Sequence, residues 1–401
     1  MILARLRNHL MAAGLTWLLP PCGAAHAAVI VPAGPASVLI SQEQRQALGL
    51  RNGPDSIVDI WNDGGQNYLV FSGAADIDGR RAGGATFRLA VDASLRHIMP
   101  PLQVVLRAPC RGARPAQGRA CSQFDSDYAG AGVVVPCPGG ATLYIYHGEN
   151  HTRPDGAQVP GNLGWTGIGQ ATWSASQGQF MRNGQILGLN ASDLWQNTPT
   201  GLATGQTPAA SGNPSVVPDP TGMYLYAYFG ERSASPDAAG AGLQCTTRTW
   251  WGVARARQAD VCASAAAGRA APWQIWYNGA FTQPGLIEGA TGGSFTAILN
   301  HADGVDNLAN VTALPALHEY AMVSVLRPSG AIVARSSTDG LHWSAPAMLV
   351  PPPEPGTLNS YARIVPVPAA TPPRYALLYV ARHAGSWEWA ELLRQDVKVT
   401  K

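Results

Sequence analysis

A dense polar cluster, His147-Gly148-Glu149-Asn150-His151, ends an apolar run abruptly. In an extended chain side chains alternate, so positions 147, 149 and 151 share one face. A carboxyl group between two imidazoles could coordinate a metal, have its pKa tuned by its neighbours, or bind hydroxyl groups. The spacing is not the helical H-E-x-x-H zinc motif, and an ordinary polar strand edge gives the same pattern. Asp127 lies just before Tyr128-Ala129-Gly130-Ala131-Gly132, with Asp125 two residues earlier; either could be a plain turn residue. Glu319, in Leu317-His318-Glu319-Tyr320, begins an apolar stretch that reads as an inner strand, where a charge needs a partner or solvent, because a lone buried charge is costly. Asp59 sits between Val58 and Ile60, so it points either to a site or to a solvated face. Trp250-Trp251, Trp273, Trp276 and Tyr277 are candidate platforms for stacking on flat apolar surfaces, although such aromatics are more often packing residues.

These side chains must be positioned by strands. After the first residues, helical periodicity is confined to Ser41–Leu50, where Ser41 can cap a short helix with Gln44 three residues on. Elsewhere, short β-branched and aromatic runs alternate with Gly, Pro, Asn and Asp, the pattern of strands and turns. A strand-turn-strand unit recurs at 57–71, 132–147, 215–229, 320–336 and 361–380. One such unit cannot bury both of its faces, whereas several stacked around an axis can. The expected fold is therefore all-β, a five-bladed β-propeller; a β-sandwich shares the alternation and turn signals. Residues 285–310 fit no unit and read as an insertion. The expected organisation is residues 1–27 as a signal peptide, 28–54 as an N-terminal segment and 55–401 as the propeller.

Three segments carry a resemblance. Tyr144-Ile145-Tyr146-His147-Gly148-Glu149, Gly212-Asn213-Pro214-Ser215-Val216-Val217 and the stretch from Ala334 to Ser344 resemble phrases of five-bladed propeller glycoside hydrolases, the furanosidases and fructosidases among them. The Ser337-x-Asp339-Gly340-x-x-Trp343 phrase also resembles the sialidase Asp-box, a turn-forming motif that argues for blades and not for catalysis. The resemblance implies carboxylates on innermost strands around a central funnel. Glycoside cleavage needs one protonated carboxyl to protonate the leaving oxygen and one ionised carboxylate to attack or to activate water. On this basis Glu149 or Glu319 is the expected proton donor and Asp127 the base or nucleophile. His147, His151, Asp59, Trp251, Trp276 and Tyr277 are the expected substrate-binding residues.

Composition and processing signals bound the function. The 401 residues include 45 Gly, 32 Pro, 12 Trp and 12 Tyr, with only 13% charged and a net charge of +2. Such a chain has no basic stripe for phosphates, so nucleic acid is not an expected partner; a neutral, polar partner such as a glycan suits it. Arg5 and Arg7, the apolar run 10–19 and Ala25-His26-Ala27 have the order of a secretory signal. The run is about half the ~20 residues that a spanning helix needs, so no membrane span is expected and the protein should be secreted or periplasmic. Cys22 raises a lipid-anchor alternative, which the adjoining prolines fit poorly. Cys110/Cys121 and Cys245/Cys262 read as loop-closing disulfides, with Cys121–Cys137 a further option; no C-x-x-C pair points to zinc. No metal or cofactor is expected. The function expected is a secreted glycoside hydrolase acting by carboxylate acid/base catalysis on a polysaccharide or oligosaccharide, furanosides included. The alternatives are a non-catalytic propeller that binds glycan or a surface protein, and a metal-dependent hydrolase or lyase built on His147, Glu149 and His151.

Overall fold

The computed structural model describes residues 28–77, 79–110, 123–151, 165–188, 210–232, 235–236, 243–244, 249–286, 293, 295–300, 303, 309–368, 370–387 and 389–401. Five antiparallel sheets are arranged as a β-propeller. Blade 1 has a split inner strand, Leu50–Asn52 and Asp59–Asp63, followed outward by Gln66–Ile77, Arg80–Val91 and Ile98–Leu106. Blade 2 runs outward through Tyr128–Pro136, Thr142–Asn150, Trp165–Ser174 and Gln179–Gly188. In blade 3, Ala210–Pro218 is innermost, then Tyr224–Arg232, Thr249–Arg257, Gln274–Tyr277 and Ala280–Pro284. Blade 4 comprises Asn310–Leu314, Glu319–Val325, Ile332–Ser337 and Ala347–Val350. Blade 5 takes Thr357–Pro366, Tyr375–His383 and Ala390–Thr400 from the C-terminal end.

The outer edge of blade 5 is supplied by the N-terminal segment. Val29–Pro32 and Ser37–Ile40 pair antiparallel with Ala390–Thr400, so the segment read as preceding the propeller closes its ring. Helix α1 (Gln42–Ala47) then leads into blade 1. Its first turn is closed as its sequence anticipates: Ser41 Oγ accepts from the Gln44 amide, and Gln44 Oε1 accepts from the Ser41 amide. A second helix, α2 (Gln258–Ala266), follows the third strand of blade 3 and has no counterpart in the sequence reading. Its apolar residues Val261 and Ala265 pack into the layer between blades 2 and 3, with Val133, Ile145, Val216 and Ala254.

Two expectations are corrected here. The unit at 320–336 is not an inner pair: Asn310–Leu314 is the inner strand of blade 4, and residues 320–336 form its second and third strands. Cys262 is bonded to Cys137, not to Cys245, because α2 brings it against the turn after the inner strand of blade 2. Cys110 is also in a disulfide, while Cys121 and Cys245 lie outside the described residues. The Asp-box resemblance matches a turn: Asp339 Oδ1 accepts from the amides of Leu341 and His342, each at 2.8 Å. Gly340 holds the left-handed φ of +75° that this turn requires.

Candidate active site

Each inner strand runs away from one rim of the ring and the second strand returns to it, so starts of inner strands and ends of second strands meet at one mouth of the axis. In blade 1, residues 53–58 interrupt the inner strand and carry Asp55, whose amide still donates to Ser72 O at 2.8 Å. In blade 2, Tyr128 starts the inner strand and lies opposite Glu149 at the end of the second. Blade 5 contributes Tyr361, at a register break in its inner strand.

Hydrogen bonds join these three blades. Tyr361 donates its hydroxyl to Asp55 Oδ1 at 2.7 Å, and Tyr128 donates to the Asp55 carbonyl at 2.9 Å. The Tyr128 hydroxyl also bonds Ser72 Oγ of blade 1. On blade 2, His147, Glu149 and His151 share a face as alternation requires. His147 Nε2 meets Glu149 Oε1 at 2.9 Å, and His151 Nε2 meets Oε2 at 2.8 Å. Both imidazoles thus donate to the carboxylate. Among the described residues no group of three or more His, Cys, Asp or Glu is placed to hold a metal ion.

The two acids are driven in opposite directions. Burial raises the Asp55 pKa, helped by the negative charge of Glu149 and opposed by the Tyr361 hydrogen bond, by Arg382 and by Asn52. For Glu149, burial also acts upward, but hydrogen bonds and charge from His147 and His151 outweigh it and hold the carboxyl well below its ordinary range. The phenols of Tyr128 and Tyr361 are pushed well above their usual value, first by burial and then by the charge of Asp55, so both remain donors. Tyr361 adopts φ +56°, a conformation that a bulky side chain holds only when its surroundings enforce it. Its ring stacks with Trp387 at 6.4 Å, and the Arg382 guanidinium lies 5.0 Å from the same tryptophan.

The other predicted residues divide into those near this mouth and those elsewhere. Asp127 is near: its carboxylate accepts from the His151 amide at 2.6 Å, and its own amide donates to Glu149 O. Asp125 is tied into blade 2 by Arg182 at 2.5 Å and Tyr146 at 2.8 Å. Asp59 is on neither a solvated face nor the mouth. It lies deeper along the inner strands, paired with Arg363 of blade 5 at 3.0 Å and accepting from Val134 N of blade 2 at 2.6 Å. Glu319 opens a second strand, opposite Leu314 at the end of the inner one, and so reaches the far rim. Trp251 is wholly buried among Tyr228, Val253 and Met322 and offers no stacking face. Trp276 and Tyr277 are on the fourth strand of blade 3, three strand spacings or roughly 14 Å out from the inner strand. Trp276 packs edge-on against Phe281.

The sequence reading missed Asp55, Tyr128 and Tyr361. A legible signal was present for Asp55: Gly53-Pro54-Asp55 breaks the chain just before an apolar run, as Asp127 stands just before Tyr128. Nothing local marks Tyr361, which is one of 12 tyrosines.

No family model matches the chain, and no curated protein matches it. Solved structures of similar outline include a family 117 glycoside hydrolase, Zg3597, from the marine bacterium Zobellia galactanivorans, at 11% identity and a TM-score of 0.48, covering 92% of this chain and 90% of that one. A GH43_1 enzyme from Xanthomonas citri complexed with xylotriose aligns at 13% identity and a TM-score of 0.45, over 91% and 89% of the two chains. The catalytic domain of the Coprinopsis cinerea GH62 α-L-arabinofuranosidase aligns at 10% and 0.44, over 90% and 95%. At such identities and scores, the propeller rests on the chain's own strand pairing.

Proposed function

We propose that this protein is an exported glycoside hydrolase that cleaves a polysaccharide or oligosaccharide at the mouth formed by blades 1, 2 and 5. The observation that carries this reading is a pair of carboxyl groups at one mouth, Asp55 held by Tyr361 and Glu149 by two imidazoles, whose surroundings push their pKa values in opposite directions. Environments that push two titratable groups apart assign an acid and a base. The raised pKa favours the protonated form of Asp55, which delivers its proton to the leaving glycosidic oxygen. Glu149 is ionised, so it attacks the anomeric carbon or takes a proton from the attacking water. This reverses the expected role of Glu149, because two imidazole donors favour its charged form. Tyr128 and Tyr361 orient Asp55, while His147 and His151 fix both oxygens of Glu149. Export is supported by the Cys137–Cys262 disulfide, a bond that persists in oxidising compartments. No helix among the described residues is long and apolar enough to cross a membrane.

The test is sugar release by the chain from residue 28 to 401 on a panel of polysaccharides, furanoside polymers included, and aryl glycosides. Asp55→Asn and Glu149→Gln should each lower kcat/KM by about a hundredfold to ten-thousandfold with folding intact. On aryl glycosides with good leaving groups, Asp55→Asn should lose much less, since such a leaving group needs no proton. Release of sugar that survives both substitutions unchanged would remove the assignment. No release from any substrate would leave a glycan-binding propeller.

A further inference from the structure

The far rim holds a carboxyl group bonded to the backbone at the start of the ring-closing strand. Glu319 is buried at 4% exposure, and its Oε2 accepts a hydrogen bond from the backbone nitrogen of Ala28 at 2.7 Å. Among the described residues no Lys, Arg or His side chain forms an ion pair with Glu319, and before cleavage the Ala28 nitrogen that it meets is a neutral amide. Ala28 itself is buried at 8%, in a cluster that joins blade 4 (Leu314, Ala321, Val323) to blade 5 (Leu377, Val397). The next residue, Val29, begins the strand that closes the ring against Ala390–Thr400. Immediately upstream stands Ala25-His26-Ala27, the A-x-A pattern after which signal peptidase cuts.

We infer that cleavage between Ala27 and Ala28 turns this amide into an α-ammonium that locks the propeller through a buried ion pair with Glu319. Hydrolysis breaks the Ala27 C–Ala28 N bond and adds one water, with hydroxyl to the Ala27 carbonyl carbon and hydrogen to the Ala28 nitrogen. The new amine then takes a proton from solvent. Neither the nitrogen nor Oε2 has to move. A neutral donor becomes a charged one at the same 2.7 Å contact, and charge-assisted hydrogen bonds are roughly twice as strong as neutral ones. The contact bridges the second strand of blade 4 and the closing strand of blade 5, so removal of the leader strengthens a ring closure that the strand pairing has already made. Cleavage one residue earlier or later would put the ammonium beyond reach or remove Ala28 altogether. This assignment is independent of the chemistry at the opposite mouth.

The experiment is to export the full chain from a bacterial host and determine the intact mass and N-terminal residue of the secreted form, expected to be Ala28. The chain has only two lysines, exposed Lys398 and Lys401. An amine-reactive label on the native protein should therefore modify these two and spare the α-amine until the protein is unfolded. Two variants complete the test: Glu319→Gln, and a chain with one glycine inserted between Ala27 and Ala28, so that the secreted protein starts one residue early. Each should lower the folding equilibrium constant by on the order of a hundredfold, and the combination should cost little more than either alone. If Glu319→Gln fails to fold, the labelling pattern and the glycine variant still decide. A mature terminus at another residue, native labelling of the α-amine as fast as the lysines, or a Glu319→Gln cost unchanged by the added glycine would each overturn the inference.

Discussion

Two carboxyl groups of one mouth differ because their hydrogen-bond donors differ. Half-buried Asp55 is held by one phenol and one amide side chain, and half-buried Glu149 by two imidazoles. Activity should therefore fall on the alkaline side as Asp55 loses its proton, at a pH above the ordinary carboxylate range. On the acid side it should persist to low pH, until Glu149 takes up a proton. The Tyr361 hydrogen bond favours ionised Asp55, so Tyr361→Phe should move the alkaline limb of kcat/KM to higher pH while lowering kcat; an unmoved limb would detach that limb from Asp55. The same raised pKa has a sign in stability. A carboxyl whose folded pKa exceeds its unfolded one gives stability that is complete below the unfolded value and lost as pH rises through the folded value. Asp55→Asn should accordingly raise Tm near pH 8 relative to the parent, with the gain vanishing below about pH 4, the range of an unfolded aspartate.

At the scale of elements, the inner strands are bent where they meet the mouth. Register breaks in blades 2, 3 and 5 fall at Ala131, Asn213 and Tyr361, each with φ between +50° and +56°. Such bulges re-aim side chains that a regular strand would point elsewhere. Beside the first break, Gly130 lies so close to blade 1 that a Cβ there would run into the side chain of Ser72. Ser72 in turn bonds Tyr128 and accepts from the Ala131 amide. Gly130→Ala should cost about 1–3 kcal/mol of stability by overpacking. It should also lower kcat by displacing Tyr128, with chemical denaturation and kinetics read on the same preparation.

At the scale of the whole molecule, the ring is held at its axis by polar ties as well as by apolar layers. Asp59 of blade 1 bonds Arg363 of blade 5 and the Val134 amide of blade 2, and both side chains are nearly inaccessible. Removing one partner leaves an uncompensated buried charge. Asp59→Ala should therefore destabilise the protein by about 3–5 kcal/mol by denaturant titration, far more than a surface substitution, although Asp59 does not reach the mouth. A loss below 1 kcal/mol would show that Arg363 finds solvent or another acceptor.

The sequence by itself determined what near neighbours can enforce. Alternation and turn residues specify strands and hairpins over a few residues, Ser41 and Gln44 close the first turn of α1, and the 147/149/151 face follows from the geometry of an extended chain. The tertiary structure decided which strand of each blade is innermost, and with it the rim at which each acid emerges. Glu319 shows why: shifting one strand outward reverses its direction and carries it from the mouth to the opposite rim. The same holds for Asp55 with Tyr361, 306 residues apart, and for Cys137 with Cys262, 125 apart. These partners meet only when the ring closes, and ring closure is a property of all five blades packing at once, which no local pattern encodes.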